Sequence, residues 1–333
     1  MRSGIVTRKA LFLMVVIVAA LVAADHDQVS GGIGTWTAKM PIPTARAGLA
    51  VGVVDGILYA VGGDTGADPY LSLLEAYNPT TNTWKSKAPM PTARSVLAVG
   101  VVNGILYAVG GISKHVAGRI LDTVEAYNPV TDTWTTKAPM PTPRFGLAVG
   151  VVDGILYTVG GGGGQPLTTV ESYDPATNAW TTRAPMPTMR NPFFAAGVVN
   201  GILYVVGGSC CNPGHGSRLL GTLEAYNPTK NAWTTKPPMP TPRLKFAAGV
   251  VNQVLYAVGG ETDDGLVGIV EAYDPIANRW TSKAALPSGR FLHAAGAANG
   301  ILYVTGGVSA HKGGAPPNDL IAYFPRDLLA FKP

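Results

Sequence analysis

Residues 144–187, RFGLAVGVVDGILYTVGGGGGQPLTTVESYDPATNAWTTRAPMP, decide the fold. Two short runs rich in β-branched residues, LAVGVV at 147–152 and ILYTV at 155–159, flank Asp153-Gly154. An Asp-Gly pair between apolar runs predicts a type I′ hairpin. A third run, Val170 to Tyr173, ends in Asp174-Pro175-Ala176-Thr177-Asn178, whose Pro and Asn suit a tight turn. A fourth run centres on Trp180. The stretch therefore predicts a four-stranded antiparallel meander, with strands a to d in chain order. The Pro-rich segment at 185–187 lacks strand alternation and reads as a crossover to the next unit.

The unit recurs along the chain. Trp36, Trp84, Trp134, Trp180, Trp233 and Trp280 are the six tryptophans, at steps of 48, 50, 46, 53 and 47 residues. The hairpin turn returns as Asp55-Gly56, Asn103-Gly104, Asn200-Gly201 and Asn299-Gly300, with Asn252-Gln253 as the one departure. A period near fifty made of strands and turns predicts a propeller, because no unit can bury its faces alone. Strand a, rich in Ala and Gly, belongs at the crowded axis; Trp on strand d fills space between diverging blades. The last unit has a third strand at Leu320 to Tyr323 but no Trp after it, whereas Thr35 to Lys39 is a fourth strand with nothing before it. The expectation is an all-β, six-bladed propeller of four-stranded antiparallel blades, closed by Thr35–Lys39 completing the last blade.

Arg144 to Tyr157, Gly160-Gly161, Glu171-Ser172-Tyr173-Asp174-Pro175, Trp180 and the Pro-Met-Pro run at 185–187 resemble the Kelch repeat. The resemblance covers residues 35 to 323. It implies a β-propeller, and it implies function only broadly, because Kelch propellers serve as protein-binding modules, cytoskeletal binders and, less often, enzymes.

Composition narrows the class. The 333 residues are 47% hydrophobic and 14% charged, enough apolar material for a large core and too little charge for a disordered chain. Of the formal +5 charge, Arg2, Arg8 and Lys9 supply three, which leaves +2 for the rest. No basic run accompanies that excess, so no nucleic-acid partner is expected. Those three cations precede the apolar run at 10–24, which ends Val22-Ala23-Ala24 before Asp25. This pattern predicts a signal peptide over 1–24 with cleavage after Ala24, a polar lead over 25–34 and a single propeller over 35–333. Fifteen apolar residues span about 22 Å as a helix, short for a bilayer core, so no stable membrane span is expected after cleavage. The protein is expected to be secreted or periplasmic.

Residues common to every unit are read first as scaffold. Glu75, Glu125, Glu171, Glu224 and Glu271 share one register position, and a carboxylate used five times is expected to pair within the scaffold. Arg46, Arg94, Arg144, Arg190, Arg243 and Arg290 stand at the start of strand a, on the face shared with the b–c loops. Pointing inward, they would form a cationic mouth able to hold carboxylates; in Kelch domains that bind acidic peptides, arginines near this position contribute to the surface. The alternative is a set of arginines bridging neighbouring blades.

Differences between units mark the candidate site. From the second glycine of Gly-Gly to the Glu position, the b–c loop spans 12, 14, 10, 16, 11 and 14 residues in successive units, and variable loops on a fixed scaffold are where recognition resides. The fourth unit has the longest loop and one extra residue after Arg190. Its adjacent Cys210 and Cys211 are candidates for a vicinal disulfide in an oxidising compartment, although neighbouring Cα atoms sit closer than an ordinary bridge wants. A metal held by both thiols and His215 matches no familiar spacing, and neither a metal nor a cofactor is expected. Non-repeated polar residues expected on the ligand-binding face with the arginines are Asp64, Asn191, Lys245, Glu261 and His293. Asp263-Asp264 reads as a solvated pair rather than a cation site.

Three functional classes follow. The leading expectation is a non-enzymatic binding module that takes a protein or an acidic or carbohydrate ligand on the Arg-lined face and b–c loops. The alternative is a sugar-acid mutarotase or epimerase of the periplasmic sialic-acid type, with Glu261 and Arg243 or Arg290 as catalytic candidates. A copper oxidase of the galactose-oxidase type is disfavoured by five scattered histidines and two adjacent cysteines. The third class is a structural role in an extracellular assembly, which exposed apolar patches on the rim would support.

Overall fold

Ala148–Val152 pairs antiparallel with Ile155–Val159, which pairs with Val170–Asp174, which pairs with Ala179–Arg183. The a–b turn is as tight as its sequence demands, with Asp153 at φ 49° and Gly154 at φ 77°. The computed structural model describes residues 34–68, 70–113, 119–165, 167–212, 216–309 and 320–324. All lie in the unit Gly31–Pro333. The signal-peptide reading falls on residues outside this set.

Four-stranded sheets of the same order recur at Ala50–Ser86, Ala98–Lys137, Ala195–Lys236 and Ala247–Lys283. The expectation of six blades is corrected here. Five blades are each one continuous stretch of chain; the remaining four-stranded sheet is composite. It joins Ala294–Ala298, Ile301–Thr305 and Leu320–Phe324 to Thr35–Lys39 from the other end of the chain. The register runs Thr35↔Phe324 to Lys39↔Leu320. The molecule therefore has five self-contained blades and one two-ended closing sheet, not six copies of one blade. Plain four-stranded units are also too simple a description. Short ribbons at Ile112–Ser113/Arg119–Ile120, Ser209–Asn212/Gly216–Leu219 and Glu261–Thr262/Gly265–Leu266 rise from the b–c loops, and Arg290–Phe291 pairs with Val308–Ser309. The ribbons pair backbone groups that these b–c connections would otherwise leave unsatisfied.

Strand a lies innermost, and its central glycines are set by close approach. A Cβ on Gly150 would stand 2.4 Å from Leu203 Cδ1 and 2.8 Å from Val198 Cγ2 of the next blade. The apolar clusters lie between blades: Val152, Tyr157, Val159 and Val170 of one meet Leu203, Val205 and Tyr226 of the next. The outer ends are tied by the tryptophans. Trp84 Nε1 donates to Met40 O at 2.8 Å, Trp134 to Ala88 O at 2.8 Å and Trp180 to Ala138 O at 3.0 Å. Trp233, Trp280 and Trp36 donate to Ala184 O, Pro237 O and Ala284 O. In every case the acceptor follows strand d of the preceding sheet, so each indole both fills a gap and pins its neighbour. Among the described residues, no helix is long and apolar enough to cross a membrane.

Candidate functional site

Six residues at the entry to strand a form a ring around the axis. Gly48, Val96, Gly146, Phe193, Lys245 and Leu292 all have positive φ, between 54° and 79°. Each N–H donates to the carbonyl of the preceding member: Val96 to Gly48 at 2.7 Å, Gly146 to Val96 at 3.0 Å, Phe193 to Gly146 at 3.1 Å, Lys245 to Phe193 at 2.8 Å, Leu292 to Lys245 at 2.9 Å and Gly48 to Leu292 at 2.9 Å. The left-handed conformation costs a side-chain-bearing residue about 1–2 kcal/mol, most for a β-branched one such as Val96. The closed circuit of hydrogen bonds offsets that cost. In the fourth blade the extra residue seen in the sequence is absorbed between Arg190 and the ring, where Asn191 N donates to Ser209 O at 2.7 Å and Asn191 Nδ2 to Ser209 Oγ at 3.1 Å.

The ring members and the residues after them, Leu49, Leu97, Leu147, Phe194, Phe246 and His293, line a recess of about 120 Å³. At about 30 Å³ per water it has room for roughly four waters. A small-molecule pocket is ordinarily ~300 Å³ or more. A ligand at this mouth therefore rests across it and does not become enclosed.

The arginine ring is not part of that mouth, which corrects the ligand-binding role expected of Arg46, Arg94, Arg144, Arg190, Arg243 and Arg290. The first five are 0% exposed and Arg290 is 1% exposed. Arg190 Nη2 meets Glu224 Oε2 at 2.7 Å, and Arg46, Arg94, Arg144 and Arg243 pair likewise with Glu75, Glu125, Glu171 and Glu271. These are pairs within a blade, so the inter-blade alternative is corrected too. Further donors go to carbonyls that end strand b or enter strand c, as Arg144 Nη1 does to Gly160 O at 3.2 Å and Thr169 O at 3.0 Å, and others to the sulfurs of Met90 and Met140, while Nε of Arg190 and of Arg243 has no hydrogen-bond partner among the described residues. Burial alone lowers the pKa of each of the five guanidiniums, and the glutamate partner opposes the shift. The physical reason is geometric: a guanidinium with five donors satisfies the orphan carbonyls at the Gly-Gly bend as no smaller side chain can. In the closing sheet the register places Ile321 opposite Val304, where the other blades have Glu. Arg290 instead reaches Gly306 O at 3.4 Å and Ser288 Oγ at 3.2 Å.

The non-repeated polar residues fare differently. Lys245 and Glu261 come together at the mouth, with Nζ to Oε2 at 2.7 Å and side chains 27% and 35% exposed. The Lys245 ammonium also lies 4.9 Å from the ring centroid of Phe291. Asp64 pairs with Ala47 just outside the ring, and its Oδ1 accepts from Gly66 N at 2.5 Å. His293, grouped with the ligand-binding face, is a buried histidine hydrogen-bonded in place. It replaces the leucines at 49, 97 and 147, is 6% exposed, and holds Val258 O at 3.0 Å through Nε2. Nε2 must carry the proton in that contact, so Nδ1 is left as an acceptor with no partner among the described residues. Burial, and secondarily the charge of Arg290, lowers its pKa to about 3. Asp263 and Asp264 are exposed at the tip of the Glu261 ribbon. Among the described residues no group of three or more His, Cys, Asp or Glu side chains could hold a metal. Cys210 carries a free thiol. The side chain of Cys211, and His215 entirely, lie outside the described residues.

Sequence reasoning missed the aromatic part of the mouth. Phe145 and Phe193 make an edge contact at 6.2 Å between centroids, and both are half-buried, as is Phe291. Their signal was present: in the blades that lack them, the corresponding positions are Ala47, Gly48, Ser95 and Val96. One side of the mouth is thus smooth and small, and the other carries three rings and an ion pair.

Comparison with known proteins identifies the repeat. The model of the KLHDC2/KLHL20/DRC7 Kelch-repeats domain matches residues 33–208. The Kelch motif matches residues 190–240 and 242–287. Kelch-like ECH-associated protein 1A of Danio rerio is 48% identical over 40 residues, a segment that is 12% of this chain and 7% of that protein. The solved structure of YjhT superposes with a TM-score of 0.73 at 19% identity, covering 86% of this chain and 97% of that one. At that identity the likeness shows the fold.

Proposed function

Because this chain belongs to the Kelch-repeat family, we propose that it is a secreted or periplasmic binding module that takes a protein or carbohydrate partner across the axial mouth and the b–c ribbons beside it. The observation that carries this reading is the asymmetry of the mouth. Phe145, Phe193, Phe291, Lys245 and Glu261 all depart from the repeat on one face, around a recess too shallow to enclose a substrate. Half-exposed rings beside an ion pair are the composition of a recognition patch, since rings supply contact area at low entropic cost and charges set orientation.

The sugar-acid epimerase alternative loses its catalytic pair. Glu261 is engaged by Lys245, while Arg243 and Arg290 are buried beneath the strand ends and bonded there. A structural role in an assembly finds little support either, because the strongly exposed large apolar residues among those described, Met40, Val130, Met189 and Ile276, are single residues in different blades. Calorimetric titration with sialic acids, uronic acids and acidic peptides, together with glycan-array and peptide-display selection, tests the reading. A partner that binds the wild type and is lost on Phe193→Asn or Lys245→Gln supports it; partners indifferent to both substitutions overturn it. N-terminal sequencing of exported protein, expected to begin at Asp25, tests the secretion.

A further inference from the structure

A second cavity, of about 480 Å³, lies far from the mouth, on the flank of the first blade where it turns toward the second. Its walls are one face of three strands: Ile57 and Tyr59 from strand b, Ala76 and Asn78 from strand c, and Thr83 and Lys85 from strand d, with Lys87 just past the end of strand d and Thr81 at the c–d turn. Cross-strand pairing sets these in rows, Tyr59↔Ala76↔Lys85 and Asn78↔Thr83. The a–b and c–d turns lie at the end of the blade opposite the mouth, so the cavity opens toward the far rim.

Its floor is apolar, with Tyr59 and Ala76 buried and Ile57 half-buried. Its outer wall is cationic. Lys85, on strand d, and Lys87, just past its end, where Lys87 N donates to Leu74 O at 2.9 Å, stand two residues apart, about 6.6 Å for extended chain. Neither has a carboxylate within 4 Å among the described residues. The lower lip is made of hydrogen-bonding groups. Asn78 Oδ1 is occupied by Thr80 N at 2.9 Å, which leaves its amide N–H groups to donate, and the Thr81 and Thr83 hydroxyls share a bond of 2.7 Å.

The internal repeat provides a built-in comparison. The residue after the tryptophan is Thr37, Thr135, Thr181, Thr234 and Thr281 in the other sheets, and Lys85 only here. In three of them that threonine leans back to a strand c carbonyl at 3.4–3.5 Å. The third groove, by contrast, is crossed by Arg183, whose Nε donates to Ser172 Oγ at 2.8 Å. Lys87 has a cationic equivalent in every copy, and it is partly offset by the Asp132 carboxylate, which accepts from Tyr127 OH and from Ala88 N at 3.0 Å. Lys85 is thus the charge that makes this groove different. The volume is in the range of small-molecule sites.

We propose that the groove between the first and second blades binds an amphipathic carboxylate, its apolar body resting on Ile57, Tyr59 and Ala76 and its anionic head held by Lys85 with Lys87. This inference is independent of the mouth, so its failure leaves the reading of the mouth unchanged.

The test is a titration of the purified protein with 2-naphthoate, followed by calorimetry, with the uncharged 2-naphthalenemethanol as the paired probe. Saturable one-to-one binding of the acid is expected, weakened about tenfold for the alcohol and about tenfold by Lys85→Thr, the loss of one charge-assisted contact at a partly exposed site. Lys85→Thr installs the residue of the other five sheets, so it is expected to fold, and an unchanged melting temperature confirms that. Lys236→Thr on another blade and Lys245→Gln at the mouth should leave binding intact. Absence of saturable binding at millimolar 2-naphthoate, equal affinity for the alcohol, or equal weakening by Lys236→Thr would each overturn the proposal.

Discussion

Glu171→Gln probes whether the arginines are scaffold, as their burial states. Arg144 is 0% exposed, and the Glu171 side chain is 3% exposed. The guanidinium is held by Glu171, by Thr158 Oγ1 at 2.7 Å and by the Gly160 and Thr169 carbonyls at 3.2 and 3.0 Å. The substitution keeps size and shape but removes the only carboxylate bonded to Arg144 among the described residues. Stranding one member of a buried pair costs about 3–5 kcal/mol. Unfolding entropy near 2.1 cal/mol/K per residue, over roughly 290 residues from Thr35 to Phe324, is ~0.6 kcal/mol/K, so the melting temperature should fall by about 5–8 °C. Differential scanning calorimetry at neutral pH reads this directly. Arg144→Met on the Glu171→Gln background should recover part of the loss, because it removes the stranded charge. A fall under ~2 °C for Glu171→Gln would mean that Arg144 does not depend on its partner, and the arginine would return to candidacy as a ligand-binding group.

Gly150→Ala should destabilise by about 1–3 kcal/mol, because its Cβ would meet Leu203 Cδ1 at 2.4 Å inside a packed blade interface; urea unfolding with an unshifted midpoint would contradict the packing described. Val96→Gly should stabilise by roughly 0.5–1 kcal/mol, since Val96 holds φ 55° where the ring accepts glycine at 48 and 146, and a lower melting temperature would show that the ring stores no strain there. His293→Leu should flatten the acid limb of the stability profile. His293 is kept neutral by burial, with its pKa near 3 against an ordinary 6.5, so it contributes stability above about pH 6.5 that is lost as pH falls toward 3. Urea midpoints across that window would remain parallel for the two proteins if His293 were uninvolved.

The strands and their turns were legible in local sequence. Asp153-Gly154 admits few geometries between two β-rich runs, and Trp180 marks the outer strand, so the meander of residues 144–187 followed from short-range chemistry repeated around the ring. The pairing of Thr35–Lys39 with Leu320–Phe324 was legible for a different reason, since two incomplete units at the chain ends each lack what the other has. Spacing did not reveal that the closing sheet differs from the rest, with Ile321 at the register of the glutamates, nor that three of the b–c loops fold into ribbons of their own.

The site was legible in part. Lys245, Glu261, Asp64 and Asn191 were marked by departing from the repeat, and the structure sets them around one mouth. Phe145, Phe193 and Phe291 depart from it equally, but an apolar residue in sequence reads as core until its exposure is known. The arginines were misread because a sequence gives the position of a side chain along a strand and not its direction. Register along each blade is a local property, fixed by turns and by alternation, and so the sequence by itself determined the all-β propeller and the rows in which its residues stand. Direction and burial are collective. Only the closed tertiary structure decided that each arginine turns into its own blade to meet a glutamate, that His293 lies beneath the mouth, and that the first groove is left with an uncompensated lysine, because each depends on neighbours 27 or more residues away along the chain.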